Sequence, residues 1–210
     1  MILPPARSRA CGSGPLPGCA GYSVAEAVAV LAIVSAVTAI VAPGVFQLSA
    51  ALAVRSSAGE VRAMLFQARA LAISRGRYVG VKFRRNGDRY EWALYGDGNG
   101  NGIRTAEIAA GIDPPLGITI PWSRNDVRPG ILQGSRVPDP ADPRRALDRL
   151  DDPIRFNASD ICSFSPLGES TPGSIYLWDG RDRMAVVRVF GRTAKVRTLY
   201  FLRRDKVWKL

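Results

Sequence analysis

The feature that most constrains this chain is an apolar run at residues 22–46, interrupted by a single charge, Glu26. About 20 apolar residues cross a hydrocarbon core about 30 Å thick, so the run is long enough to span a membrane. An acidic side chain is costly within a bilayer, so Glu26 indicates a function. Basic residues precede the run, and this bias predicts residues 1–21 in the cytoplasm and the bulk of the chain outside.

The apolar run continues directly into a helical pattern that extends to residue 75. This continuity argues against a cleaved signal peptide, although residues 38–42 loosely fit a small-residue cleavage site. Gly76 is a helix stop signal, so we predict one helix over 22–75, spanning roughly 75–80 Å. That length requires that half of the helix lies in lipid or in an assembly. The apolar stripe of the second half is predicted at Leu48, Leu52, Ala58, Val61, Leu65, Ala68 and Ala72.

Residues 77–210 carry β patterns, with alternating apolar residues and an Asn86-Gly87 turn signal. An antiparallel sheet packed on the amphipathic half-helix is expected, which makes the fold class α+β. The prolines and charges of residues 122–153 predict a long surface loop. The predicted strands are 77–83, 90–95, 118–120, 154–156, 161–164, 174–178, 184–190 and 195–202.

The chain is strongly basic, with 29 Lys and Arg against 18 Asp and Glu and a net charge of +11. Residues 181–210 carry ten basic and two acidic side chains, which indicates an anionic partner or a solvated basic face. Histidine is absent, which removes the commonest metal ligand and general base, and no enzyme is predicted. Of the three cysteines, Cys162 is predicted to be a buried apolar residue.

One turn has the residue spacing of a calcium loop. Asp97, Asn99 and Asn101 alternate with glycines and match the first half of that motif. Its twelfth position, however, is Ile108, where a bidentate acid is expected, and Glu107 lies one residue early. The alternative is a turn held by its own side-chain hydrogen bonds. No other cofactor is predicted.

The start of the apolar run carries a resemblance. The sequence GYSVAE at residues 21–26 resembles the processing site of type IV pilins and type II secretion pseudopilins. The resemblance implies that a prepilin peptidase cuts after Gly21 and that Tyr22 becomes the methylated first residue. Glu26 is then the fifth residue of the mature chain and Pro43 the twenty-second, as in that family. Cleavage of the leader 1–21 also removes Cys11 and Cys19.

Within this family, the chain is similar to the GspH/FimT branch. The resemblance implies a pilin-like fold, in which Glu26 pairs with the N-terminal amine of a neighbouring subunit and Pro43 loosens the helix. The implied divisions are a leader 1–21, a transmembrane and assembly half-helix 22–46, an amphipathic half-helix 47–76 and a β-rich domain 77–210. The similar segments are 63–81, 164–168, 173–175, 191–192 and 196–197.

The resemblance implies a minor pseudopilin of a type II secretion system. Such a subunit is a single-pass inner-membrane protein with a periplasmic C-terminal domain, and its partners are other pseudopilins and the prepilin peptidase. The alternative is a FimT-like minor pilin that binds DNA during uptake, with Trp208 exposed to stack on bases. The candidate residues for nucleic-acid or partner binding are Arg192, Arg197, Arg203, Arg204, Lys206 and Lys209.

Overall fold

The computed structural model describes residues 22–122 and 126–210. The chain divides into two units, the first ending at Val45 and the second comprising Phe46–Leu210. Helix α1, Val24–Arg75, begins in the first unit and ends in the second, close to the predicted bounds. In the first unit its large apolar side chains are exposed. Among the described residues, α1 is the one helix long and apolar enough to cross a membrane.

In the second unit, α1 buries one stripe of small and branched apolar side chains. The buried stripe begins at Val54, a residue that the sequence analysis did not include. The predicted start of the stripe was wrong, since Leu48 and Leu52 are 61% and 55% exposed. The reason is their spacing: Leu52 lies six residues before Ala58, whereas helix faces repeat at three and four residues. The stripe is Val54, Ala58, Val61, Leu65, Ala68 and Ala72.

The β-rich part forms two antiparallel sheets rather than the single sheet predicted from sequence. The strands are β1 Val79–Asn86, β2 Arg89–Gly96, β3 Ile120–Pro121, β4 Arg128–Pro129, β5 Ile154–Arg155, β6 Ile161–Phe164, β7 Gly173–Trp178, β8 Arg183–Phe190, β9 Lys195–Leu202 and β10 Trp208–Lys209. The four-stranded sheet has the order β3-β2-β1-β6, and the six-stranded sheet has the order β10-β9-β8-β7-β4, with β5 also paired to β7. A short helix α2, Thr105–Ala109, follows β2.

Two hydrophobic cores lie on opposite faces of the six-stranded sheet. Successive side chains of a strand point to opposite faces, so Val187 of β8 joins one core and Val186 the other. The first core joins the α1 stripe to both sheets and includes Phe83 stacked on Phe156, with ring centroids 5.9 Å apart. Cys162 is buried in this core, as predicted.

The second core corrects the prediction of a surface loop at residues 122–153. Its described residues, Trp122 and 126–153, contain only the two-residue strand β4. The segment is nevertheless packed, because most of its buried apolar side chains cover the outer face of the six-stranded sheet, while Val127 joins the first core. Scattered apolar residues without a period gave no sign of this contact in the sequence. The buried residues of the second core are Ile131, Leu132, Val137, Leu147, Tyr176, Met184, Val186 and Phe201.

The Arg155 side chain connects residues 126–153, here named the Pro-rich segment, to the six-stranded sheet. Its guanidinium group donates to the Asp148 carboxylate at 2.9 Å, to the Arg149 carbonyl at 2.8 Å and to the Asp152 carbonyl at 2.9 Å. It also donates to the Asp148 carbonyl and lies 5.1 Å from the centroid of the Tyr176 ring. One partly buried side chain thus satisfies several carbonyl groups that the irregular backbone leaves unpaired.

Candidate functional site

The N-terminal end of α1 carries two of the predicted site residues. Tyr22 is 86% exposed just before the helix. The Glu26 backbone N–H donates to the Ser23 hydroxyl at 3.2 Å, so Ser23 caps the helix. Within the described chain, no basic group lies within salt-bridge distance of the Glu26 carboxylate, which leaves it available to another molecule. Gly21 and the rest of the leader, including Cys11 and Cys19, lie outside the described residues.

Pro43 lies within α1, which continues through it and Gly44 to Arg75. The boundary between the two units follows directly, between Val45 and Phe46. A proline inside a helix removes one backbone donor and weakens the local hydrogen bonding. Loosening of the helix at Pro43 stays a prediction.

The six basic candidates do not form one site. Arg192 lies in the turn that leads into β9, and Arg197 lies within the strand. The other four, Arg203, Arg204, Lys206 and Lys209, follow the opposite end of β9. Eight strand residues at 3.3 Å each separate the two ends by roughly 26 Å. Proximity in sequence therefore overstated the density of positive charge.

Acidic side chains offset part of the charge in the tail, residues 203–210. Asp182 lies 3.4 Å from Arg203. Asp205 lies 3.4 Å from Arg204 and 2.6 Å from Lys209, and the hydrogen bond from Lys209 helps to hold the pKa of Asp205 below its usual value. Exposed pairs of this kind add little stability, but they lower the local potential that an anionic partner meets.

The aromatic residues of the C-terminal end are held by the fold. The Trp208 indole N–H donates to the Pro138 carbonyl at 2.7 Å, and its ring centroid lies 5.2 Å from that of Phe201. Tyr200 lies beneath the Arg55 guanidinium, 5.6 Å from ring centroid to Cζ. The prediction of an exposed Trp208 was therefore wrong: the indole is half-buried because it completes the second core.

The turn that begins at Asp97 is held by its own hydrogen bonds, the alternative to calcium binding. The Asp97 carboxylate accepts from the backbone N–H groups of Asn99 at 3.1 Å, Gly100 at 2.7 Å and Gly102 at 2.9 Å. Burial acts to raise the pKa of Asp97, but these donors outweigh it and lower the pKa below its usual value. Asn101 donates to the Glu107 carboxylate at 2.8 Å instead of pointing at a shared centre.

A second buried acid completes this turn. Asp113 is fully buried and accepts from the backbone N–H groups of Gly98 at 3.2 Å and Arg104 at 3.0 Å. A side chain at position 98 would place its Cβ 1.9 Å from the Ile112 carbonyl oxygen, so only glycine fits there. Among the described residues, no group of three or more His, Cys, Asp or Glu side chains is arranged to hold a metal ion. Calcium binding stays a prediction.

The comparison with protein families identifies the chain. A family model described as type II transport protein GspH matches residues 57–191, well over half of the 210 residues. The chain belongs to the GspH family. No curated protein and no solved structure matches it.

The GspH match confirms the resemblance to the GspH/FimT branch, and the structure confirms the predicted pilin-like α+β fold. The matched residues begin in the amphipathic half of α1 and end in the turn after β8. The GspH family is structural rather than enzymatic, and it implies a pseudopilin-like role in type II transport with other pseudopilins as partners.

Sequence reasoning missed one group of basic residues in this GspH protein. Arg181 and Arg183 precede and begin β8, and together with Arg203 and Arg204 they line a cavity of about 500 Å³. The pairing of β8 with β9 explains the grouping, because Arg183 lies opposite Leu202. The signal was available in the sequence: an antiparallel hairpin over 184–190 and 195–202 brings the residues before it beside those after it.

Proposed function

We propose that this GspH protein is a minor pseudopilin of a type II secretion system, a structural subunit of the periplasmic pseudopilus. The observation that carries the proposal is the GspH match on a β-rich domain whose packed helix continues, towards its N-terminus, into an exposed apolar segment. The apolar segment anchors the chain in the inner membrane before assembly, and the domain of residues 77–210 lies in the periplasm.

Assembly follows from the chemistry at the start of the helix. A prepilin peptidase removes residues 1–21 after Gly21 and methylates Tyr22. The new N-terminal amine of one subunit then pairs with the Glu26 carboxylate of its neighbour. The pair neutralises a positive and a negative charge, each of which would be costly alone in an apolar environment. Pro43 gives the packed helix a point of adjustment within the fibre. This role needs no cofactor.

The alternative is DNA binding by a FimT-like minor pilin, and the surface gives it less support. The candidate basic residues lie at both ends and along β9, and three of the four basic side chains in the tail pair with aspartates. Base stacking needs an exposed aromatic face, whereas Trp208 is half-buried, packs against Phe201 and donates to the Pro138 carbonyl. These observations favour the secretion role.

The test of assembly uses Glu26→Gln in the organism that carries the gene. The substitution removes the charge while keeping the side-chain size. We therefore expect normal membrane insertion and leader removal but loss of secretion, and chemical crosslinking should no longer detect the assembled pseudopilus. Asp88→Asn, in the exposed β1–β2 turn, is the control for loss of one negative charge. Normal secretion by the Glu26→Gln variant would contradict the proposed pairing.

The test of the alternative measures DNA binding by the full chain in detergent. Duplex DNA is titrated at low and moderate salt, beside a variant with Arg203, Arg204, Lys206 and Lys209 changed to Ala. We expect no binding at moderate salt. Binding at moderate salt that falls steeply with added salt and disappears in the variant would instead support DNA uptake.

Two further readouts check the processing and calcium hypotheses. Mass spectrometry of the membrane protein is expected to show loss of residues 1–21 and one added methyl group, and Gly21→Val is expected to block both.

Millimolar calcium is expected to raise the melting temperature only if Asp97, Asn99 and Asn101 bind the ion.

A further inference from the structure

The cavity lined by Arg181, Arg183, Arg203 and Arg204, here named the arginine cavity, lies beside the helix at Phe46, Gln47 and Ala50. Its remaining lining residues are Asp179, Asp182 and Leu202. Four arginines against two aspartates give the lining a net charge of +2. All of these residues belong to the second unit, so the cavity is a feature of the β-rich part and the helix packed against it.

The acidic residues leave much of this positive charge available. One Asp179 carboxylate oxygen accepts the backbone N–H groups of Arg181 at 2.8 Å and Arg183 at 3.1 Å, so it holds the turn. Asp182 pairs with Arg203 at 3.4 Å, with both side chains about half exposed. Within the described chain, no carboxylate lies within salt-bridge distance of the Arg181 or Arg183 side chain. Arg204 pairs with Asp205 at 3.4 Å, outside the lining. The cavity therefore presents two guanidinium groups without a carboxylate partner, those of Arg181 and Arg183, beside two that are paired.

The position of the cavity along the chain points to its ligand. Phe46 is 70% exposed and is the last residue of the apolar run. The end of a membrane-spanning segment lies at the boundary between membrane and water, and basic groups there meet the phosphates of anionic lipids. If residues 22–46 cross the membrane, as the proposed function requires, the arginine cavity opens at the membrane surface.

We propose that the arginine cavity binds the phosphate headgroup of an anionic phospholipid at the outer surface of the inner membrane. Guanidinium groups bind phosphate oxygens through paired N–H donors, and several of them converge here. The bound headgroup fixes the height of the β-rich domain above the bilayer before the subunit enters the fibre. This inference rests on the proposed function, because it needs the apolar helix to be in the membrane.

Nucleic acid fits the same surface less well. The arginine cavity is a compact recess beside an exposed phenylalanine, whereas a DNA backbone requires a track of basic residues along its length. The next basic candidates, Arg192 and Arg197, lie at the far end and in the middle of β9. An apolar contact directly beside the guanidinium groups matches a phospholipid, which carries its acyl chains next to its phosphate.

The experiment measures lipid retention by the full chain in non-ionic detergent, using native mass spectrometry. The protein is titrated with phosphatidylglycerol or phosphatidylcholine. The test variant is R181Q/R203Q/R204Q, and the control R85Q/R89Q/R144Q removes three exposed arginines elsewhere. We expect the wild type and the control to prefer phosphatidylglycerol, and we expect this preference to fall by about tenfold or more in the test variant.

Thermal melts check that each variant is folded. If the triple variant melts early, R181Q alone replaces it, since Arg181 lies in a turn and pairs with no acid in the described chain; a threefold loss of preference is then expected. Equal phosphatidylglycerol retention by the folded test variant and the wild type would overturn the proposal. Displacement of the lipid by an equal concentration of glycerol phosphate would also overturn it, because the cavity would then take free phosphate.

Two further readouts separate this inference from its alternatives. Duplex DNA bound by the wild type and lost in the test variant, without any lipid preference, would replace the lipid with a nucleic acid. Alkaline extraction of membranes tests the anchoring itself. Release of the wild-type chain would reject the proposed function, whereas a chain that stays in the membrane but has no lipid preference would reject the inference alone.

Discussion

The two cores of the β-rich part are built in different ways although they share one sheet. In the first core, a regular helix stripe meets regular strands, and both sides repeat with a fixed period. In the second core, the same sheet meets an irregular segment whose apolar residues have no period. Helix and strand backbones satisfy their own hydrogen bonds, whereas the irregular segment depends on side chains such as Arg155 and on the indole of Trp208.

This difference indicates that the two cores make separate contributions to stability. Loss of the first core removes the contact between the helix and both sheets, so the domain should unfold as a whole. Loss of the second core exposes one face of a sheet that remains held by the helix on its other face. We therefore expect the second core to open first, with the first core intact.

The largest effect is expected from Leu65→Ala in the first core. Leu65 is fully buried in the α1 stripe, and its truncation leaves a cavity that costs about 2–5 kcal/mol of unfolding free energy. Chemical denaturation with circular dichroism measures the loss. The exposed Leu48→Ala is the matched control, with an expected change below about 0.5 kcal/mol. Equal losses in the two variants would contradict the assigned helix face.

The strands show how far the sequence could predict this fold. Strands β6 and β9 were predicted at their observed bounds, because alternation over four or more residues is a local signal. Strands β4 and β10 have two residues each, too few to carry a period. The burial of Leu132 depends on Met184, 52 residues further along the chain, and no local pattern records such a contact.

The candidate site was predictable to the same extent. The motif around Glu26 is local and was recognised from a few neighbouring residues. The arginine cavity needed the β8–β9 pairing and the position of Phe46 beside it, which only the folded chain provides. Conversely, Trp208 was predicted to be exposed because its position near the C-terminus gives no indication of its contact with Pro138, 70 residues away.

A smaller and local effect is expected from Arg155→Ala. The substitution removes the hydrogen bonds to Asp148, Arg149 and Asp152, so we expect a loss of about 2–4 kcal/mol confined to the second core. Hydrogen exchange should rise across residues 131–150 while the helix stays protected. The exposed Arg144→Ala is the control.

Cys162 provides the reporter that separates local from global opening. Burial in the first core raises the pKa of its thiol and shields it from reagents. With Cys11 and Cys19 replaced by serine, labelling of Cys162 should speed up in Leu65→Ala but remain near the wild-type rate in Arg155→Ala. Fast labelling in both variants would show that the two cores open together.

Trp208→Phe tests a single hydrogen bond of the second core. Phenylalanine keeps an aromatic ring against Phe201 but leaves the Pro138 carbonyl without its donor, so we expect a loss of about 1 kcal/mol. Thermal melts and proteolysis within residues 131–150 measure it. Trp92→Phe, which shortens an aromatic side chain packed against the first core instead, should leave that segment protected.

At neutral pH the smallest effect is expected from Tyr176→Phe, whose consequence appears only in alkali. Burial raises the pKa of Tyr176 to about 12, although Arg155 opposes this change. Ionisation is thus disfavoured in the folded state, and stability present below pH 10 should be lost as the pH rises towards 12. Absorbance titration near 295 nm should show a late tyrosine step that is lost in Tyr176→Phe, whereas Tyr90, whose pKa is also raised by burial, titrates late in both chains. A titration that ends near pH 10 would contradict burial of this ring.

The bond between Trp208 and Pro138 also sets an order of events during folding. The Pro-rich segment cannot close its core until β7, β8, β9 and the last few residues have been synthesised, since each supplies part of the surface that it covers. Contacts across such long separations form slowly. The C-terminal residues therefore complete the domain last, and a chain that lacks them should leave this segment open to proteases.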